Sequence, residues 1–312
     1  MAERYSSILS TQWDDVVRRS ANGTFLLLCG YMDYHRSRFD DVSLLLRDRK
    51  GRAAGAFPAC AEPNGTVVSH AGLTYGGLLY DRKAHATDVC GMLNDIFSYY
   101  SAKGYKRLIY KAIPHIYHQA PCEADLYWLV QKGAQIYWRT LSTAVDLQAP
   151  LPFSELRKRA VKKAERNSVE VSQSVDFDSF WPILVEVLLQ RHGVHPVHTL
   201  DEIRLLHSRF PSHIRLYTAK LNTEVVAGTV IYASRGVAHA QYIASNAKGR
   251  EHGALDLLFS RLISEYQSDG YRWFDFGIST DHDGSALNTG LLSQKEGFGA
   301  RSVCYDTYLL NL

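Results

Sequence analysis

Hydrophobic residues in the second half of the chain alternate with polar residues in five short segments. Alternation with a period of two predicts strands, because successive side chains of a strand point to opposite faces. These segments lie near 214–220, 224–233, 237–244, 272–277 and 302–310. Two stretches with a helical spacing of apolar residues, about 252–269 and 287–296, fall between the later strands. The second half is therefore predicted to be a sheet interrupted by helices.

The first half carries the same order of signals, which indicates an internal duplication. Its predicted strands lie near 42–47, 53–60, 66–70, 107–111 and 135–146, with a helix near 84–103. The segment GYKRLIYK (104–111) aligns with GYRWFDFG (270–277) after a shift of 166 residues, and Gly133 aligns with Gly299 after the same shift. Each half is thus predicted to be an α/β (α+β) domain with a mixed, mostly antiparallel sheet flanked by helices.

A proline pair separates the two halves. Pro150 and Pro152 stop the strand before them, and a helix-like stretch over 153–166 follows. With 312 residues, the chain is long enough for two hydrophobic cores. The boundary is therefore predicted at residue 150, which gives an N-terminal domain of residues 1–150 and a C-terminal domain of residues 151–312.

The composition is that of a globular protein, with 46% hydrophobic and 21% charged residues. The 35 basic and 32 acidic residues give a formal charge of +3, which is too small to predict nucleic acid as the main partner. No apolar run approaches the roughly 20 residues that cross a bilayer, and the N-terminus lacks a signal-peptide pattern. We expect a cytoplasmic protein without a membrane span and without DNA as a partner. Whether it forms a homo-oligomer stays open.

The spacing of cysteine and histidine argues against a disulfide framework and against a metal site. The five cysteines are scattered and form no C-x-x-C pair. His192, His195 and His198 are spaced by three, but Gly193 and Pro196 interrupt the helix that would align them. We expect reduced thiols and no metal cofactor.

Four segments of the second half carry a resemblance to a known family. They are RKRAVKKAERNSVEV (157–171), QYIASNAKGREHGALDLL (241–258), FDFGIS (274–279) and LLSQKEGFGAR (291–301). These segments resemble the GNAT acyltransferases, and the two-domain order is similar to that of the Fem-type aminoacyltransferases. The resemblance implies two tandem GNAT-like domains and an acyltransferase activity. It is nearest to the N-acyltransferases that acylate amino sugars on a nucleotide carrier.

The resemblance implies a coenzyme A thioester, acetyl-CoA or another acyl-CoA, as the donor. Backbone N–H groups at a helix N-terminus hold a pyrophosphate, and Gly249 and Gly253 let the backbone approach it. The residues predicted to contact the donor are Tyr242, Ile243, Ala244, Lys248, Gly249, Arg250, Gly253, Ala254, Asn288 and Lys295. The alternatives are an ordinary glycine turn for the loop and a solvated helix charge for Lys295.

Two polar side chains on neighbouring predicted strands are the candidates for a general base. His239 and Gln241 share a face of the strand 237–244, and Asp275 is an acid within an aromatic run. GNAT folds separate these strands, so the resemblance implies that His239 and Asp275 flank a gap for the donor. Asp275 is the first candidate and His239 the second for taking a proton from the acceptor amine, with a structural role as the alternative for each. Tyr305 is the candidate for protonating the leaving thiolate, unless it is a core aromatic.

Basic residues are concentrated at the start of the second domain. Six of the ten residues over 157–166 are basic, and the phosphates of a nucleotide-linked substrate would explain this excess better than a solvated surface helix. The loop SHAGLTYGG (69–77) stands where the second half has its phosphate loop, but it lacks basic residues, so we expect it to shape the acceptor pocket. The residues predicted to contact the acceptor are His70, Tyr75, Arg157, Arg159, Lys163, Gln241 and Ser279.

Three functions stay open at this point. The favoured one is an N-acyltransferase that moves an acyl group from acyl-CoA to a nucleotide-linked amino sugar for bacterial surface polysaccharide, such as lipopolysaccharide or capsule. The second is a Fem-type transferase that uses aminoacyl-tRNA and a cell-wall precursor. The third is a GNAT-like module that binds sugar nucleotides without catalysis.

Overall fold

The computed structural model describes residues 1–281 and 283–312, apart from the side chain of His192. The α-helices of this part are α1 (Ser10–Arg19), α2 (Cys29–Met32), α3 (Ala86–Ala102), α4 (Ala124–Gln131), α5 (Glu155–Arg166), α6 (Phe177–His192), α7 (Leu200–Arg209), α8 (Ala247–His252), α9 (Ala254–Ser268) and α10 (Thr289–Glu296). Within the described residues, no helix is both long and apolar enough to span a bilayer.

The strands follow the predicted alternation closely. They are β1 (Ala2–Arg4), β2 (Asp40–Asp41), β3 (Leu44–Arg47), β4 (Ala53–Phe57), β5 (Cys60–Glu62), β6 (Thr66–Val68), β7 (Leu79–Tyr80), β8 (Arg107–Lys111), β9 (Gln135–Asp146), β10 (Val169–Ser174), β11 (Ile214–Leu221), β12 (Glu224–Ser234), β13 (Val237–Ser245), β14 (Trp273–Ile278) and β15 (Arg301–Asn311). The predicted mixed α/β class is confirmed.

Packing divides the chain into two compact units. The first takes in the described parts of 1–140, 282–284 and 304–312, and the second takes in the described parts of 141–281 and 285–303. The sequence-based domains 1–150 and 151–312 stay a prediction.

The second unit is built on a mixed sheet. Its strands follow the order β10, β11, β12, β13, β14 and the 141–146 part of β9. Only β13 and β14 pair in parallel among these neighbours, and the other pairs are antiparallel. Helix α9 packs on β11, β12 and β13, and its Leu258, Leu262 and Tyr266 are fully buried. The helical period of these apolar residues explains why α9 covers one face of the sheet.

The parallel pairing of β13 with β14 is short, and the two strands part after three residues. The register is Val237 with Trp273, Ala238 with Phe274 and His239 with Asp275. Strand β13 continues to Ser245 along β12, where Val230 pairs with Tyr242 and Ile231 with Ala240. Gln241 is therefore the extra residue of a β-bulge, a feature that bends a strand. The gap between the strands opens directly beyond His239 and Asp275.

The first unit contains a parallel pair that matches this one. Strands β6 and β8 pair as Thr66 with Arg107, Val67 with Leu108 and Val68 with Ile109. Ile109 precedes Asp275 by 166 residues, the shift of the duplicated segment. The pair in the first unit thus ends in two aliphatic side chains, where the pair in the second unit ends in a histidine and an acid. Acid–base chemistry at this position is confined to the second unit.

Helix α5 approaches the start of α9 closely because Gly253 has no side chain. Gly253 joins α8 to α9 with a φ of +71°, and a Cβ there would lie 2.7 Å from the carbonyl oxygen of Ala160. Ala164 of α5 and Ala254 of α9 are fully buried. A positive φ and a backbone contact together require glycine at this position.

Replacing Gly253 with alanine is expected to lower the free energy of unfolding by about 2–4 kcal/mol, because a left-handed backbone and a clash with Ala160 add up. Gly193→Ala is the matched control. Gly193 ends α6 with a φ of +65°, but nothing lies within 4 Å of its Cβ position, so its loss should stay near 1–2 kcal/mol. Urea unfolding measures the decrease in the free energy of unfolding for both variants. Equal decreases would show that α5 moves away from the new Cβ without destabilising the protein.

Candidate active site

Asp275 is a fully buried acid whose carboxylate is held by neighbouring groups of the second unit. Its Oδ1 accepts hydrogen bonds from the Ser142 hydroxyl at 2.7 Å and from the Gly277 N–H at 3.0 Å. Its Oδ2 lies 2.7 Å from Nδ1 of His239. Buried carboxylates persist when they are hydrogen-bonded in this way, which accounts for an acid within an aromatic strand.

His239 is the partly exposed end of this chain of contacts. Its side chain is 16% exposed, whereas that of Asp275 is 0% exposed. Because the Asp275 carboxylate accepts, Nδ1 carries the proton of the neutral imidazole and Nε2 keeps its lone pair. Gly277 packs beside the ring, since a Cβ there would lie 3.3 Å from Cε1 of His239. This is the arrangement of a general base whose tautomer is set by a carboxylate.

Lys295 of α10 is buried beside the end of β14. Its Nζ donates to the carbonyl oxygens of Gly277 at 2.8 Å and Ile278 at 2.7 Å. Burial lowers the pKa of Lys295 to about 8, while the nearby Asp275 carboxylate acts in the opposite direction. The ammonium therefore points at backbone and is not a solvated helix charge. Its predicted role as a donor contact stays a prediction.

The predicted donor contacts Tyr242, Ile243 and Ala244 lie on β13 beyond its last pairing with β14. The Tyr242 carbonyl accepts from the Thr229 hydroxyl at 2.8 Å, and the Tyr242 hydroxyl lies 2.6 Å from Nδ1 of His198. The edge of this segment that faces away from β12 has no β14 residue opposite it in the described register. Binding of a carbonyl oxygen by backbone N–H groups of this segment stays a prediction.

The residues of the loop before α9 that were predicted to bind phosphate make contacts within the protein. The Gly249 N–H donates to the side chain of Asn246 at 2.8 Å, which caps α8. Lys248 forms an ion pair with Glu224 at 2.6 Å, and the Arg250 guanidinium donates to the carbonyl of Ser245 at 2.6 Å. A pyrophosphate held by these groups would have to replace their present partners, and their predicted role toward the donor stays a prediction.

Arg157 is also held within the second unit. It pairs with Asp256, in the first turn of α9, at 2.5 Å, and its guanidinium lies 5.5 Å from the centre of the Phe298 ring. The two charged side chains are 15% and 14% exposed. Burial raises the pKa of Asp256 and Arg157 opposes this rise. The carboxylate of Asp256 thus already lies at the N-terminus of α9, where the helix dipole favours an anion. Arg159 and Lys163 remain exposed on α5.

Comparison with known proteins finds a family match for part of the chain. Residues 155–283 match the family described as acetyltransferase (GNAT) domain. The chain contains a GNAT-type acetyltransferase domain. The resemblance drawn from the sequence is confirmed, and so is the expectation of an enzyme of the transferase class.

Solved structures with the fold of the whole chain lie far from it in sequence. FemX has 11% identity and a TM-score of 0.69, and the match covers 100% of this chain and 97% of FemX. The C-terminal domain of a protein assigned as lysylphosphatidylglycerol synthetase from Agrobacterium fabrum has 13% identity and a TM-score of 0.63, with 97% and 90% covered. L-PGS from Bacillus licheniformis has 14% identity and a TM-score of 0.61, with 87% and 84% covered. These likenesses show the fold. No curated protein matches the chain.

Three further predicted residues lie in the second unit. Gln241 is half-buried in the bulge of β13. Ser279 is buried, and its N–H donates to the Leu141 carbonyl at 2.7 Å. Asn288 caps α10, since its side chain accepts from the Leu291 N–H at 2.9 Å. Caps and backbone contacts explain their positions, and their roles toward donor or acceptor stay predictions.

Three predicted residues lie in the first unit, outside the GNAT match. The Tyr305 hydroxyl is 3.4 Å from that of Tyr117. The Tyr75 hydroxyl donates to Thr24 at 3.1 Å, and His70 is a buried residue with a φ of +62°. Burial lowers the pKa of His70 to about 3, so its ring is neutral. Both predicted acceptor contacts are almost wholly buried, which is unfavourable to direct contact, and all three roles stay predictions.

Within the residues that the structure describes, no group of three His, Cys, Asp or Glu side chains is arranged to hold a metal ion. The side chain of His192, part of the histidine run discussed above, lies outside these residues. His198, from the same run, is buried against Tyr242.

Sequence reasoning missed Ser142, which completes the hydrogen bonds of Asp275. The signal was a polar residue in the buried part of β9, where Ser142 and Ala144 share a face and Ala144 pairs with Asp275. It also missed Asp256, an acid in the first turn of the helix that was expected to receive a phosphate. Both lie far in sequence from their partners, so no local pattern reveals the contacts.

Proposed function

We propose that the chain is an N-acyltransferase that moves an acyl group from acyl-CoA to the amino group of a nucleotide-linked amino sugar. One observation carries this proposal: the hydrogen-bonded chain from Ser142 through Asp275 to His239 ends at the point where β13 and β14 part. A base directed toward a gap between strands is the group that amide formation requires. Acyl-CoA would supply the activated carbonyl.

His239 removes the proton that blocks attack. A sugar ammonium must lose a proton before its nitrogen can attack, and Nε2 is the free basic atom of the ring. Asp275 keeps Nδ1 protonated and stabilises the positive charge that His239 gains. Backbone N–H groups of β13 beyond His239 stabilise the negative charge on the carbonyl oxygen. The amine nitrogen forms the amide bond as the carbon–sulfur bond of the thioester breaks, and coenzyme A leaves as a thiolate that takes up the proton from His239. These steps use only groups that the second unit already orients.

Positive charge on α5 supports a phosphate-bearing acceptor. Arg159 and Lys163 are exposed and point to solvent-accessible space, whereas Arg157 is committed to Asp256. Positive charge at this position attracts the phosphates of a nucleotide-linked sugar, and salt screens this attraction beyond a Debye length of about 8–10 Å. The acceptor KM is therefore expected to rise with salt more than the donor KM.

A second candidate differs in its donor. Lys248, which was predicted to contact the phosphates of coenzyme A, is paired with Glu224. Arg157, which was predicted to contact the acceptor, is paired with Asp256. One protein of similar fold is assigned as a synthetase of lysylphosphatidylglycerol, an aminoacylated lipid. These observations favour an aminoacyl group on tRNA as the alternative donor. The base and the gap would serve either donor in the same way.

The deciding experiment incubates the full chain with acetyl-CoA or longer acyl-CoA and a panel of nucleotide-linked amino sugars, and detects the acylated product by mass spectrometry. We expect an amide product, together with a thermal shift on adding coenzyme A, since a ligand at 100 times its Kd stabilises by about 2.7 kcal/mol. Product with aminoacyl-tRNA alone supports the second candidate. No product with any donor, but stabilisation by the sugar nucleotide, would indicate a binding module.

A further inference from the structure

Lys295 is a buried lysine, and burial of an ammonium group is energetically unfavourable unless the group is hydrogen-bonded. Lys295 is 4% exposed, and burial lowers the pKa of its side chain to about 8. Both hydrogen bonds given for Nζ end on the backbone of β14, at Gly277 and Ile278. These carbonyls lie at the diverging end of the strand, just past the acid of the candidate site.

The backbone that Lys295 holds is the backbone that holds Asp275. The Gly277 N–H donates to Oδ1 of Asp275 at 3.0 Å, and Gly277 packs against the imidazole of His239. Gly277 has a φ of +76°, so this turn takes a conformation that the strand would not continue unaided. Pairing with β9 is irregular here too, since the register shifts between Asp275 and Ile278. A turn with weakened strand pairing needs another support.

We propose that Lys295 is a positioning residue: by binding the carbonyls of Gly277 and Ile278 it fixes the turn that orients Asp275 and, through Asp275, the tautomer and ring of His239. The geometry does not depend on which donor or acceptor is used, but the effect on rate rests on the proposed function. Lys295 thus acts through other groups and does not touch the substrates. Its ammonium also balances the nearby Asp275 carboxylate, which a methionine of similar length would not do.

Lys111 in the first unit supplies a matched control. It too is a lysine with its pKa lowered to about 8 by burial, and its Nζ donates to the loop carbonyls of His70 and Leu73. Lys111 belongs to the first unit, whereas Asp275 and His239 belong to the second. Lys111→Met removes a comparable set of contacts and leaves the residues that hold Asp275 and His239 unchanged.

The test records the ¹⁵N resonances of the His239 ring in the full-length protein, with Lys295→Met, Lys295→Gln and Lys111→Met as variants. In Lys295→Met we expect His239 to leave the single tautomer with a protonated Nδ1, and kcat to fall about 10- to 100-fold with KM changed less than about threefold. Lys295→Gln keeps one donor and should lie between. Lys111→Met should leave the His239 resonances as in the wild type.

Unchanged His239 resonances in a folded Lys295→Met or Lys295→Gln protein would overturn the proposal. If the methionine variant does not fold, the glutamine variant decides. The two proposals fail separately: altered resonances in a protein that forms no amide would remove the proposed function but keep this role for Lys295, and wild-type resonances in an active protein would do the reverse.

Discussion

Replacement of His239 by glutamine is expected to lower kcat at neutral pH by about 10²- to 10⁴-fold, the usual contribution of a positioned general base. Glutamine fills a similar volume, and its amide oxygen can accept a hydrogen bond but cannot hold a proton at neutral pH. The loss should shrink as pH rises, because an amine that is already neutral needs no base. The measurement is kcat against pH, with donor affinity followed in parallel.

His207→Gln is the control for this substitution. His207 lies in the same unit, half-buried, with Nδ1 2.7 Å from the Ile214 carbonyl, but outside the gap between β13 and β14. Its replacement should leave kcat within about twofold of wild type. A His239→Gln enzyme with a wild-type rate at neutral pH would show that the base is another group.

Asp275→Asn is expected to lower kcat by about 10²-fold or more, because the substitution sets the wrong tautomer of His239. Two donors, the Ser142 hydroxyl and the Gly277 N–H, point at Oδ1, so the amide oxygen of asparagine must take that position. The amide NH₂ then faces Nδ1 of His239, which is 2.7 Å away from the present Oδ2. A ring whose Nδ1 accepts must carry its proton on Nε2 and cannot take another from the amine.

The test of Asp275→Asn combines kcat with the ¹⁵N resonances of His239, which report the tautomer directly. Ser142→Ala gives the comparison. It removes one of the two donors at Oδ1 but leaves the carboxylate, so the tautomer should persist and the rate should fall only a few-fold. An Asp275→Asn protein that keeps both a protonated Nδ1 and its rate would contradict the assigned contacts.

The elements of the second unit follow from its sequence because local signals agree there. Alternation places β11, β12 and β13 nearly to the residue, and the capping box formed by Thr199 and Glu202 begins α7. The partnership of His239 with Asp275 was also within reach, since both stand on predicted neighbouring strands. Period and capping are local properties of a chain, which is why they can be read without a structure.

The contacts of the charged residues could not be read in the same way. The loop around Gly249 has the composition of a phosphate site, yet the partners of its charges, Glu224 and Ser245, come from the neighbouring strands. Arg157 finds Asp256 across 99 residues, and Lys295 turns inward onto β14. The partners of long charged side chains depend on which residues the fold brings near them. Composition therefore shows that a segment could bind phosphate, but not which partners its charges have.

Amide formation by the second unit with His239 as the base can be measured by comparing two proteins. Purified wild-type and His239→Gln proteins are given the same activated acyl donors and nucleotide-linked amino sugars at neutral pH, and amide product is followed over time by mass spectrometry. We expect steady product with the wild type and a rate lower by about 10²-fold or more with the folded variant. Equal rates in the two proteins, or no amide from the wild type with any donor, would contradict it.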